Sequence, residues 1–178
     1  MIQEPLQIFM LEDLPTDRAL VKRQVMKVFP NAKYTMVTKR AEFEEKVGWT
    51  RPDLVLADYN LVDFNGLEAL LFFKEKYPEI PFVFITGTLS DEEQVAETIL
   101  KGASGYILKQ NLDKLPEKLT AIYRQYQDRI GQSKTQVERR RELHLKLQKA
   151  KELVESASDF QQKHAVVDLL AEVLHNTI

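Results

Sequence analysis

The chain has 178 residues, of which 44% are hydrophobic and 29% charged. That length and balance describe a globular protein, either one medium domain with an appendage or two small domains, with enough chain to bury a sizeable core. A formal net charge of -2 offers no basic excess to a polyanion, and the absence of cysteine excludes disulfides, thiolate metal sites and a cysteine nucleophile.

No apolar run approaches the roughly 20 residues that span a bilayer. The first residues, with Glu4 and Pro5 and no basic stretch, do not read as a secretory signal. The expected address is the cytoplasm, with neither nucleic acid nor membrane as a partner.

In chain order, Ile8-Phe9-Met10-Leu11 reads as a buried strand. Leu20, Val21, Val25, Val28 and Phe29 then recur at helical spacing. Tyr34-Thr35-Met36-Val37 is a weaker strand, and the helix expected around Lys39 to Val47 is short and charged. Leu54-Val55-Leu56-Ala57 is a strong strand, followed by a helix through Leu67, Leu70, Leu71 and Lys74. Phe82-Val83-Phe84-Ile85 is another. Ser90 with Glu93 forms a capping box that starts a helix just after Leu89, carried on by Val95, Ile99 and Leu100. Tyr106-Ile107-Leu108 is the last strand. After Asn111 the pattern Leu115, Leu119, Ile122, Tyr123 and Tyr126 gives a fifth helix, with Pro116 tolerated in its first turn. Unbroken apolar strands alternating with helices predict a doubly wound α/β fold with a parallel sheet covered on both faces.

The rest of the chain is different. From about Ser133 to Ile178 there is no proline or glycine, and Lys, Arg, Glu, Gln and Leu dominate, which predicts long helix. A heptad seam runs through Leu143, Leu147, Ala150, Val154 and Ala157. It continues through Phe160, His164, Val167, Ala171, Leu174 and Ile178, with a stammer at Val154-Ala157-Phe160. The seam predicts a coiled-coil or helical-hairpin homodimer; a single amphipathic helix docked on its own domain is the alternative. The expected division is 1–128 for the α/β domain and 129–178 for the helical extension.

Ligands of doubly wound sheets sit at the carboxyl ends of the strands. There this sequence puts Glu12 and Asp13, then Asp58, then Thr86-Gly87-Thr88, then Lys109. Singly, these read as helix-start acids, a turn aspartate, turn chemistry and a solvated strand end. Jointly, on four strand ends, they describe one crevice. Clustered carboxylates repel, and a hard divalent cation, Mg2+ above all, relieves that repulsion. A lysine, a hydroxyl and free N–H groups opposite suit a phosphoryl group, and Asp58 is the best-placed nucleophile.

These residues carry a resemblance. Met10-Leu11-Glu12-Asp13, Leu56-Ala57-Asp58-Tyr59-Asn60, Gly66-Leu67, Phe84-Ile85-Thr86-Gly87-Thr88 and Lys101-Gly102-Ala103-Ser104-Gly105-Tyr106-Ile107-Leu108-Lys109 resemble the signature of response-regulator receiver domains. The resemblance implies a flavodoxin-like sheet of order 2-1-3-4-5. It implies a regulatory phosphoacceptor rather than an enzyme, with Asp58 taking a phosphoryl group from a histidine kinase or phosphotransfer protein. It implies Mg2+ held by Glu12, Asp13, Asp58 and the Asn60 backbone carbonyl, phosphoryl oxygens bound by Thr86 and Lys109, and Thr86 with Tyr106 as the switch. Two positions depart from the family pattern: Val62 stands where proline is frequent, and Gln110 follows Lys109 where a cis proline is usual.

In the tail, the basic run Arg139-Arg140-Arg141 is flanked by Glu138 and Glu142 and reads as a solvated helix face. His144, His164 and His175 lack metal-ligand spacing. Ala171-Glu172-Val173-Leu174-His175-Asn176 resembles the phosphoacceptor helix of histidine kinases, which would make His175 a second phosphoacceptor and the sequence the front of a hybrid kinase. An aspartate-based phosphatase is a further alternative, opposed by Asn60 where such enzymes carry a second acid. A receiver-like scaffold that never takes phosphate is opposed by the intact acidic set.

Overall fold

A computed structural model describes residues 2–87, 92–156 and 163–175, with the backbone alone at 92–95 and 175. Thr88, Ser90, Ala157, Phe160, Asn176 and Ile178, and the side chain of His175, lie outside the described residues. By contacts the chain divides into two units, residues 1–126 and 127–178.

In the first unit five strands form a parallel sheet in the order β2-β1-β3-β4-β5. The strands are β1 (Gln7–Leu11), β2 (Lys33–Val37), β3 (Leu54–Ala57), β4 (Phe82–Thr86) and β5 (Gly105–Leu108). The helices between them are α1 (Pro15–Val25), α2 (Arg40–Trp49), α3 (Gly66–Lys76) and α4 (Glu92–Leu100); α5 (Leu115–Ser156) begins after β5. This is the predicted doubly wound fold. The three inner strands are buried almost along their whole length, whereas edge strands β2 and β5 alternate or leave residues half-open. Unbroken apolar runs therefore mark the centre of the sheet, because only there do helices cover both faces.

The core is strongly aromatic. Phe9, Phe29, Phe43, Phe73, Phe82 and Phe84 are fully buried, each contributing roughly 1.5–3 kcal/mol of transfer free energy. Phe73 lies at the centre of one cluster, with ring centroids 5.8 Å from Phe82, 5.4 Å from Tyr77 and 6.4 Å from Phe43. The short, charged segment expected to be weak does form α2. It buries Phe43 and Val47, and its outer face carries the i,i+4 pairs Arg40–Glu44 and Lys46–Glu42.

Two glycines are fixed by geometry. Gly102, after α4, has φ +101°, a conformation that side chains with a Cβ rarely adopt. Gly66 opens α3 against the backbone of the preceding loop: a Cβ there would stand 2.6 Å from the Asp58 carbonyl oxygen. The last helix starts at Leu115, where the periodicity begins, with Pro116 in its first turn; a 3-10 turn over Lys109–Lys114 precedes it. The Lys109–Gln110 peptide is trans, since no described bond is cis.

The second unit comprises the remainder of α5 and a separate helix, α6 (Lys163–His175). Lys163 Nζ donates to the Glu155 carbonyl at 2.8 Å. The half-buried stripe of α5 here is His144, Leu147, Ala150, Lys151 and Val154; that of α6 includes Val166, Val167, Leu170, Ala171 and Leu174. Of the expected seam, Leu147, Ala150, Val154, Val167, Ala171 and Leu174 are half-buried. Leu143 and His164 are exposed, while neighbouring His144 is half-buried.

Candidate functional site

Parallel register carries the strand ends to one edge of the sheet. Leu11 pairs with Ala57, so the next residues, Glu12 and Asp58, emerge side by side. Thr86 pairs with Leu108, so Lys109 emerges next to the end of β4. Backbone bonds continue the ladder past the strands: Asp58 N–H donates to the Leu11 carbonyl at 2.8 Å and Glu12 N–H to that of Val37 at 3.4 Å.

The Lys109 ammonium is the centre of the site. It lies 2.7 Å from Asp58 Oδ2, 2.8 Å from Glu12 Oε2 and 2.6 Å from Asp17 Oδ2. Side-chain exposure is 17% for Lys109, 4% for Glu12, 9% for Asp58 and 24% for Asp17, so these pairs are largely shielded from water. The second oxygens are engaged as well. Glu12 Oε1 accepts from the Leu14 amide at 3.1 Å, and Asp58 Oδ1 accepts from the Asn60 amide at 3.1 Å.

Burial pushes the Glu12 carboxyl above its usual range, and the hydrogen bonds from Lys109 and the Leu14 amide oppose that rise without cancelling it. For Lys109 burial favours loss of the proton, but its bonds to Asp17, Asp58 and Glu12 outweigh burial and hold its pKa above the ordinary lysine value. Lys109 is therefore firmly cationic at neutral pH.

The loop after β3 is held on both sides. Asn65 caps α3 by accepting from the Leu67 amide at 2.7 Å, and the Gly66 amide donates to the Tyr59 carbonyl at 2.9 Å. The Tyr59 ring lies against Phe84 at 5.5 Å. Val62, the departure from the family pattern, is exposed on this loop. Thr86 is fully buried at the end of β4, and Gly87 beyond it is exposed. Tyr106 is half-buried on β5. Lys118 of α5 donates to the Tyr106 carbonyl and sets its ammonium 4.8 Å from the centre of that ring.

Of the residues singled out in the sequence, the structure thus brings Glu12, Asp58 and Lys109 into direct contact. Asp13 is half-buried in the loop after β1 and is not among the carboxylates that reach Lys109. No group of three or more His, Asp or Glu side chains among the described residues is arranged as a set of metal ligands. The reason is visible: Glu12 and Asp58 turn toward an ammonium. The chemistry of the donor set still suits a hard divalent cation, because the carboxylates outnumber the single cation and offer only oxygen. Asp17 was not anticipated. The sequence signal was an acid two residues after Pro15, in the first turn of a helix that starts beside the acidic pair.

Comparison with known proteins agrees with this geometry. The family model described as the response regulator receiver domain matches residues 8–120. The chain is similar to the nitrate/nitrite response regulator protein NarL of Escherichia coli, 34% identical over 120 residues, covering 66% of this chain and 52% of NarL. It is similar to the transcriptional regulatory protein DegU of Brevibacillus brevis, 30% identical over 124 residues, covering 67% and 51%. The chain therefore spans about half the length of these curated relatives. Among solved structures, a CheY-like receiver domain from Methanospirillum hungatei superposes with a TM-score of 0.63 at 20% identity, covering 71% of this chain and 99% of that one. The phosphorylated cyanobacterial phytochrome response regulator RcpA gives a TM-score of 0.56 at 24% identity, covering 67% and 91%. Fold, strand-end chemistry and sequence match converge: the chain belongs to the response-regulator receiver family of two-component systems.

Proposed function

We propose that this receiver works in the cytoplasm and accepts a phosphoryl group on Asp58 from a phosphohistidine of a histidine kinase or phosphotransfer protein. An Asp58 oxygen attacks phosphorus, the P–N bond breaks, and its electron pair leaves with the imidazole, which takes up a proton. The product is an acyl phosphate on Asp58. The observation that carries this reading is the 2.7 Å contact between Asp58 Oδ2 and the buried Lys109 ammonium. That contact puts a permanent positive charge where phosphoryl negative charge arrives, and electrostatics of this kind act strongly in a shielded site.

Glu12, Asp13, the Asp58 carboxylate and the Asn60 carbonyl would hold Mg2+, which supplies neutralising charge between the carboxylates and the phosphoryl oxygens. The chain's own groups do the rest. The Asn60 amide orients Asp58 through its other oxygen, Lys109 turns toward a phosphoryl oxygen, and the buried Thr86 hydroxyl reaches another. Movement of Thr86 lets Tyr106 turn inward, and the population of the inward state rises because the phosphoryl group binds it better. Lys118 holds the Tyr106 carbonyl from the first turns of α5, so the change reaches the helix that continues into the tail. There the stripes on α5 and α6, buried only by half, support pairing of two copies through these helices.

The test is covalent labelling by a small acyl phosphate. Wild type is expected to gain one phosphoryl group in the presence of Mg2+, mapped to Asp58, and Asp58→Asn to gain none. Labelling of Asp58→Asn at an unchanged rate would refute the assignment.

A further inference from the structure

A lysine ammonium has three hydrogens, and here three carboxylates take them: Glu12, Asp58 and Asp17. Two of these have a task in the reading above. Asp17 has none. It lies on α1, 92 positions from Lys109 along the chain, and makes the shortest of the three contacts, 2.6 Å.

The other two partners are lost when the site is used. A divalent cation on the Glu12 and Asp58 oxygens repels an ammonium at those same oxygens, and Asp58 loses its full charge once it is acylated. Either event strips hydrogen bonds from a long side chain that regains its rotamer entropy when freed. Asp17 is the partner that neither event touches. An ordinary first-turn acid, interacting only with the helix dipole, would be indifferent to Lys109; this one is bonded to it.

We propose that Asp17 is a positioning residue. It tethers the Lys109 ammonium at the strand ends while Glu12 and Asp58 give it up, leaving its remaining hydrogens to turn to a phosphoryl oxygen. The proposal rests on the reading of Asp58 as phosphoacceptor.

Two measurements on the full chain test it. The first is the rate of labelling by a small acyl phosphate at saturating Mg2+. Asp17→Asn is expected to slow it about tenfold, the loss of one charge-assisted hydrogen bond, and Asp17→Glu to recover most of that loss. In a Lys109→Gln background Asp17→Asn is expected to cost nothing more. A wild-type rate for Asp17→Asn, or losses that simply multiply in the double variant, would overturn the tether, because a merely structural role is independent of Lys109. The second is the side-chain ammonium NMR signal of Lys109 in unphosphorylated protein with Mg2+. It is expected to persist in wild type and to vanish in Asp17→Asn. If wild type takes no label, the phosphoacceptor reading fails, and this signal decides the tether alone: its loss in Asp17→Asn supports the proposal and its retention there overturns it.

Discussion

Gly66→Ala is the substitution that most sharply joins the packing to the site. A Cβ at this position would lie 2.6 Å from the Asp58 carbonyl oxygen, 2.8 Å from Tyr59 Cα and 2.9 Å from Phe84 Cε1. Two of these neighbours are backbone in the loop that presents Asp58, and the third is a buried core ring, so none can swing aside. Overpacking of this kind costs about 1–3 kcal/mol. Alanine's better helix propensity returns at most about 1 kcal/mol, and less at a first helical position. The net expectation is destabilisation of about 1–2 kcal/mol, or roughly 2–8 °C in Tm for a chain of this size. Gly48→Ala is the matched control, also in a helix but with nothing within 4 Å of the added carbon; it should stabilise by up to about 1 kcal/mol. Urea denaturation of both variants, followed by circular dichroism, gives the comparison. Equal stability of Gly66→Ala and wild type, or the same sign for both variants, would refute the steric reasoning.

Other expectations follow from the same structure. Because Glu12 has a raised pKa in the folded state, the fold binds its proton more tightly than the unfolded chain, so this group favours folding at low pH and that contribution is lost as pH rises through the folded value. Glu12→Gln should therefore reduce the fall in stability above about pH 4.5, measured by denaturation in Mg2+-free buffer; an unchanged slope would contradict the assigned burial. For Lys109 the sign gives an alkaline limit: its raised pKa stabilises the fold below about pH 10.5, and the contribution disappears as pH climbs beyond the folded value. Phe73→Ala, at the centre of the ring cluster, should cost about 3–5 kcal/mol by urea denaturation, and a loss under about 1 kcal/mol would place the core elsewhere. If two copies pair through these helices as proposed, wild type should scatter light with the mass of two chains and Leu147→Glu, on the half-buried stripe of α5, with that of one; a two-chain mass for Leu147→Glu would move the pairing surface off this stripe.

The sheet was legible because the inner strands are apolar without interruption, as in Leu54–Ala57 and Phe82–Ile85, and covered on both faces. The site was legible for a related reason. Parallel strands end at one edge, so Glu12, Asp58 and Lys109, each the first polar residue after its run, had to meet. Asp17 was hidden because an acid in a first helical turn is usually solvated and favoured by the dipole alone. Whether it turns toward the lysine just after β5 depends on how α1 packs against the turn there. The bounds of α5 and α6 were hidden as well, since neither proline nor glycine occurs in residues 133–178. The half-burial of His144 in place of Leu143 was hidden too, since a 3.5-residue seam and a 3.6-residue helix drift apart along a straight helix.

The account turns on Asp58 taking a phosphoryl group in reach of the Lys109 cation. A crystal structure of the full chain with Mg2+ and beryllofluoride tests it most directly. The account predicts beryllium on an Asp58 carboxylate oxygen, Lys109 Nζ and the Thr86 hydroxyl on its fluorides, and the Lys109 ammonium drawn off Glu12 but still on Asp17. Beryllofluoride bound to another residue, or Lys109 and Thr86 both out of contact with it, would contradict the account.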